Sequence, residues 1–268
     1  MTAESPSLTH LRLERPSPGV ARLVLDNPGQ RNAMSADMTR SWGLAIDALA
    51  ADRDLRVVVV TGEGSAFCSG GDPRWIAGEP DATVDQLRTR MIGFYRAWLA
   101  IRALEVPTIA AVNGPAVGAG LCLALACDLR YAAAGATLSA PFVRLGMNPG
   151  MASTYLLPDV VGDAHARELL LTGRSVHAEE ARQLGMVSRV FADDAFAAEV
   201  QQIAEGIAAT APIASRYTTV SLRGGGHRDL ESAIQWEALA QPITLATEDL
   251  QEGVRAAREK RPPQFRNA

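Results

Sequence analysis

Buried-strand runs alternate with amphipathic helical stretches through roughly the first 205 residues, and the remainder reads as helix alone. That order predicts an α/β core with a helical C-terminal region. Two stretches carry the prediction. Val57–Val60 is a continuous β-branched run, too short for a helix and apolar on both faces, as a buried parallel strand requires. Thr108–Val112 is a second apolar run, punctuated by Pro107 before it and by Asn113-Gly114-Pro115 after it.

Taken in order, His10–Glu14 and Val20–Asp26 flank Pro16-Ser17-Pro18-Gly19 and read as a hairpin. Ser35 is the expected N-cap, with Asp37 in the first turn, of a helix to about Arg53. Its buried face is Met38, Trp42, Ala45, Ile46 and Leu49, which recur at helical spacing. A long helical segment from about Thr83 to Leu104 carries Leu87, Met91, Phe94, Tyr95, Trp98 and Ile101. After the Thr108 strand a helical run ends near Cys127, and Asp128 anchors a turn. Leu129–Ala133 and Thr137–Ala140 read as short strands, Phe142–Met151 as a loop, and Ala152–Val161 and Ala164–Thr172 as helices. Ser175 is expected to cap a short helix ending at Gly185, followed by a strand over Val187–Phe191. Helices from Asp193 onward are interrupted at Pro212 and at Gly224-Gly225-Gly226. The composition shift divides the chain softly into a core over 1–205 and a helical region over 206–268.

Composition narrows the function classes. At 268 residues the chain suits one large domain with a modest appendage. Hydrophobic residues at 47% and charged residues at 21% are ordinary for a globular protein. A net charge of −4 with interspersed signs argues against a nucleic-acid surface, while leaving room for a local basic patch. Cys68, Cys122 and Cys127 have neither metal-type spacing nor the pattern of a disulfide framework, so no metal is expected. With no signal peptide and no run long enough to span a bilayer, a cytoplasmic location is expected.

Each main strand run leads into a glycine-rich corner. Val60 is followed by Gly62, Gly64 and then Ser69-Gly70-Gly71-Asp72; Val112 is followed by Gly118, Ala119 and Gly120 at the start of a helix. Such corners leave backbone N–H groups free to hold an anion or a developing oxyanion. The same small residues also let a helix pack close to a strand. Neither turn completes G-x-G-x-x-G with its following acidic residue, which disfavours a Rossmann nucleotide site. Two corners, one from each strand–turn unit, meet the requirement of a two-donor oxyanion hole.

The pair SAFCSGGD and AAVNGPAVGAGLCLALACDLRYAA resembles the crotonase, or enoyl-CoA hydratase/isomerase, superfamily. The likeness extends through DNPGQRNAMS, LGMNPGMAST, LLLTGRSVHAEEARQLGMVSRV and EGVRAAREKRPPQF. It implies a spiral of repeated β-β-α units rather than a doubly wound sheet, an acyl-CoA or enoyl-CoA thioester ligand, and a homotrimer or homohexamer. No cofactor is implied beyond the CoA carried by the thioester. The Gly71 and Ala119 amides would form the oxyanion hole, flanked by Gly70 and Gly118.

By the same resemblance, the two glutamates that hydratases use to activate water fall on Cys122 and Phe142. LGMNPGMAST, where other members carry a carboxylate, has none. Cys122 becomes a nucleophile or proton shuttle if the helix N-terminus lowers its pKa, and is otherwise a small buried hydrophobe. Phe142, Met147, Met151 and Trp75 are expected to wall an apolar acyl pocket. Asp72 suits a cap or a local salt bridge beside the pocket. The CoA loop corresponds to Arg31, Asn32 and Ala33, with Arg31 fit for a phosphate. Lys260 and Phe265, in the terminal stretch, would reach a ligand or a neighbouring subunit. Tyr155 and Glu237 are remote candidate donors, and His10, His165, His177 and His227 lie away from both corners. An enzyme acting on thioesters through an enolate is the leading expectation. The other is an acyl-CoA binding protein that kept the pocket without the carboxylates.

Overall fold

The computed structural model describes residues 7–72, 78, 81–224 and 229–268. β1 (Leu11–Ser17) and β2 (Val20–Leu25) form the antiparallel hairpin, with Leu11 opposite Leu25. The first strand runs on through Pro16 and Ser17, so the turn is the tight Pro18-Gly19 pair. β2 pairs in parallel with β3 (Val57–Gly62), β3 with β4 (Thr108–Val112), β4 with β6 (Leu129–Ala133), and β6 with β9 (Arg189–Phe191). The six-stranded order is therefore β1-β2-β3-β4-β6-β9. A second sheet, ordered β5-β7-β8, contains β5 (Ala116–Val117), β7 (Thr137–Ser139) and β8 (Ser175–His177).

This arrangement is the β-β-α spiral. β4 lies in the large sheet, the chain turns at Asn113-Gly114-Pro115, and β5 lies in the small one before α3 (Ala119–Ala126). β6 and β7 repeat the pattern before α4 (Ser153–Thr172). Isolated parallel bridges between Cys68 and Ala116 and between Met34 and Gly71 extend it to the earlier units.

Packing follows the sequence pattern. Ser35 caps α1 (Ala36–Ala50), its hydroxyl accepting from the Met38 amide at 3.2 Å. Thr83 caps α2 (Val84–Leu99) in a reciprocal box with Gln86. Trp42 of α1 stacks on Trp98 of α2 with ring centroids 4.8 Å apart, at the heart of the main core. Val58 and Val60 face that core, while Val57 and Val59 face the other side of the sheet. There α6 (Phe196–Ala208) covers them with Phe196, Val200, Ala204 and Ala208. The compositional boundary at residue 205 thus falls inside a helix packed on the sheet.

Two local expectations change. Ser175 opens strand β8, because its segment pairs antiparallel with β7, and the short helix α5 begins only at Ala178 (Ala178–Gln183). The helices are interrupted at Pro212 as expected, and Pro212 itself starts α7 (Pro212–Leu222), since a first-turn proline has no N–H to lose. α8 (Leu230–Leu245) and α9 (Glu248–Glu259) are separated at Thr247, which caps the latter. α4 is continuous by hydrogen bonding, yet Gly162 within it has non-helical angles, matching the two helices read from sequence.

The helical region is clipped to the sheet by Arg223. Its guanidinium donates to Asp128 Oδ1 at 2.6 Å and to the carbonyls of Arg102, Leu104 and Val106. Asp128 in turn accepts from the Thr108 amide at 2.7 Å, the turn-anchoring role expected of it.

Candidate active site

The two glycine corners are laced to each other. The Cys68 amide donates to Pro115 O at 3.1 Å and the Val117 amide to Cys68 O at 2.9 Å. Gly118 donates to Ser139 O at 2.8 Å, and Met34 to Gly70 O at 2.8 Å, so both corners are pinned within the small sheet's extension. Gly70 has φ +92°, and a Cβ on it would lie 2.6 Å from Val117 O and 3.2 Å from the Ala119 nitrogen. Only glycine permits that approach. Just beyond the ladder, the Gly71 and Ala119 amides have no acceptor among the described residues. Ala119 is the first residue of α3, where helical geometry leaves the N–H unpaired and the local dipole favours negative charge.

Both residues line a cavity of about 130 Å³. Gly70, Gly118, Phe142, Met147 and Met151 line it as expected, and α2 adds Met91, Phe94 and Tyr95. Phe142 lies against Gly118, its ring 3.7 Å from where a Cβ would stand. No Asp, Glu or His side chain lines the cavity among the described residues. Met151 and Ala152, both with left-handed backbones (φ 48° and 56°), turn the wall into α4. Such strain in non-glycine residues persists only where the surroundings enforce it. The larger hollows lie elsewhere. One of about 510 Å³ is walled by Glu252, Arg255 and Arg261, which pair with one another.

Several expected residues sit elsewhere. Cys122 is fully buried, is absent from the cavity wall and donates its thiol to Gly150 O at 3.5 Å. Burial pushes its pKa up to about 12, outweighing the neighbouring Ser153 hydroxyl, so the thiolate that a nucleophile needs is suppressed. Asn32 is also fully buried. Its amide donates to Glu63 O at 2.9 Å and Ala66 O at 2.8 Å, and its Oδ1 accepts from the Asn27 amide. Asn32 and the buried Ala33 therefore shape the loop instead of lining the cavity. Arg31 is exposed beside them, and its carbonyl accepts from the Ser69 amide, which brings the CoA-type loop next to the cavity rim.

Asp72 is buried beside Gly71 but does not line the cavity, and Trp75 and His227 lie outside the described residues. Phe265 falls at the opposite end of the sheet, and Lys260, just after α9, does not line the cavity. The Phe265 carbonyl accepts from Arg56, at the N-terminal edge of β3, whereas the cavity lies past its C-terminal edge. Glu252, held down at about 2 by Arg261 and the Gln264 amide, folds this tail back on α9. Within one protomer neither residue reaches the cavity. Tyr155 is exposed and Glu237 lines the gap between α7 and α8. Tyr95 is the functional candidate that the sequence hid, because it reads as one more member of an apolar helical stripe.

A spiral core of this kind is the fold of the crotonase superfamily. The model of the enoyl-CoA hydratase/isomerase family matches residues 15–268. A probable enoyl-CoA hydratase echA12 of Mycobacterium leprae is 39% identical over 260 residues, covering 93% of this chain and 87% of that protein. A putative enoyl-CoA hydratase of Thermus thermophilus is 38% identical, with 92% and 97% covered. Among solved structures, a putative enoyl-CoA hydratase from Streptomyces coelicolor superposes with a TM-score of 0.92 at 32% identity, covering 99% and 97%. The chain belongs to the enoyl-CoA hydratase/isomerase family.

Proposed function

We propose that the protein takes acyl-CoA or enoyl-CoA thioesters with the thioester carbonyl between the Gly71 and Ala119 amides, and stabilises the enolate that forms there. The observation that carries this is the pair of uncommitted amides lining one apolar cavity, held together by the Gly70 contact. Donors fixed in advance on a dry wall need no reorganisation as charge develops on the oxygen. The apolar lining suits an acyl chain, and exposed Arg31 at the rim suits a CoA phosphate. The chemistry is that of a lyase or isomerase carried out without the hydratase-type glutamate pair, whose positions by resemblance are Cys122 and Phe142. The thioester supplies its own activation, so no further cofactor is needed.

A second reading, acyl-CoA binding without catalysis, is favoured by the absence of acidic side chains from the described cavity wall. The assembly proposed is a homotrimer or homohexamer, for which α8 offers exposed apolar side chains, Leu230 and Ile234 on one side and Leu239 and Ile243 on the other. A cytoplasmic site of action is proposed; among the described residues no helix is long and apolar enough to cross a membrane.

A panel of acyl-CoA and trans-2-enoyl-CoA thioesters tests the reading by thermal shift, calorimetry and loss of conjugated-thioester absorbance. Binding with turnover supports the enzyme, binding alone supports the second reading, and no binding across the panel rejects both. Ala119→Pro adds a sharper measurement, since a first-turn proline is tolerated but removes the N–H. It is expected to cost about 3 kcal/mol of transition-state stabilisation, roughly 100-fold in kcat.

A further inference from the structure

We propose that Tyr95 is the proton donor of this cavity, its hydroxyl protonating the α-carbon of the enolate held by Gly71 and Ala119. The inference rests on the thioester reading above. Among the described lining residues, three side chains carry N–H or O–H groups: Ser69, Tyr95 and Asn148. The Ser69 hydroxyl donates to Gln30 O at 3.2 Å, and the Asn148 amide to Pro149 O at 2.9 Å. An amide is in any case far too weak an acid to deliver a proton. The Tyr95 phenol gives its proton to no acceptor among the described residues. The backbone of Met151 lies near its oxygen and favours the ionised form, against the larger effect of burial.

The local architecture is built around that hydroxyl. A Cβ on Gly150 would lie 2.5 Å from Tyr95 Oη, so the bare backbone at 150 leaves the phenol its place in the wall. The adjoining Met151 keeps a left-handed backbone, with φ 48°. Burial raises the phenol's pKa, so the hydroxyl holds its proton at neutral pH until a strong base such as an enolate carbon takes it. The enolate amides and the phenol share one cavity of about 130 Å³, within the span of a single short acyl group.

In the hydration direction the step balances with water as co-reactant. Water oxygen bonds to the β-carbon of the enoyl thioester, and the π electrons move to give the enolate, its oxygen between the two amides. The enolate electron pair then takes the Tyr95 proton to form the α C–H bond and restore the carbonyl. The phenolate recovers a proton from the added water. The tyrosine ends as it began, and one group does the work of a donor–acceptor pair.

The test follows α-deuteration of a short-chain trans-2-enoyl-CoA in D2O by mass spectrometry, with calorimetric titration of the matching saturated thioester. Tyr95→Phe is expected to lose about 100-fold or more in α-deuteration while binding the saturated thioester as the parent does. Replacing Tyr95 by 3-fluorotyrosine, a stronger acid of nearly the same shape, is expected to move the alkaline limb of the pH–rate profile downward, which a purely structural residue would not do. Deuteration by Tyr95→Phe at the parental rate overturns the inference, as does a parent protein that binds thioesters but transfers no α-proton. Failure of the parent protein to bind any thioester rejects the reading of the site and this inference together.

Discussion

Gly70 and Ala119 come from different units of the spiral, yet a methyl group on Gly70 would sit 3.2 Å from the Ala119 nitrogen. The contact sets the spacing of the two amides, because Gly71 follows directly on Gly70. Gly70→Ala is therefore expected to push the corners apart and to strain a residue whose φ is +92°. The expected cost is about 1–3 kcal/mol of stability together with a loss of enoyl-CoA turnover exceeding that loss of stability. Denaturant unfolding and kcat/KM, measured on the same preparation, separate the two. Unchanged turnover would mean that the corner spacing does not matter to the site.

The three buried thiols make stability fall on the alkaline side. Burial pushes Cys68, Cys122 and Cys127 each up to about 12, above the ordinary thiol value of 9.0. Below that ordinary value both states hold their protons and the contribution is fully present. As pH rises from about 9 toward 12 the unfolded chain ionises first, so folding loses roughly 1.4 kcal/mol per pH unit for each thiol. Urea midpoints across that range should show the slope, and Cys122→Ala should reduce it by one thiol's share while keeping its turnover. A Cys122→Ala protein without activity would restore the thiol to the mechanism.

Arg223 and Asp128 join the helical region to the sheet. Their side chains are 11% and 22% exposed, and Asp128→Ala would leave the guanidinium facing backbone carbonyls without its counter-charge. A loss of about 3 kcal/mol is expected, because removing one member of a buried pair strands the other. The double variant Asp128→Ala/Arg223→Met should recover part of it. A loss in the double variant equal to the sum of the Asp128→Ala and Arg223→Met losses would indicate that the pair is not coupled.

Much of the fold was legible where local chemistry suffices. Ser35 before an amphipathic run announces a helix start, and Val57–Val60 announces a strand covered on both sides, which α6 and α1 do cover. Gly162 marks the interruption in α4. Ser175 was misread because serine is equally at home as a cap and at a strand end, and the choice was made by β7, 36 residues earlier in its Ser139↔Ser175 pairing. Asn32 looked like a ligand residue because a buried side-chain amide and an exposed one are spelled the same; its three partners, at residues 27, 63 and 66, exist only after folding.

The sequence by itself determined the family, through its likeness to known motifs, and the strand–corner–helix units, because these units depend on glycine, proline and apolar spacing within about ten residues. Tertiary structure alone decided what the cavity contains. It withdrew Cys122 into a low-dielectric interior that suppresses its thiolate, moved Phe265 to the far edge of the sheet, and brought Tyr95 from a neighbouring helix to the wall. Burial and long-range approach set the acidity and reach of a side chain, and neither is written in the residues beside it.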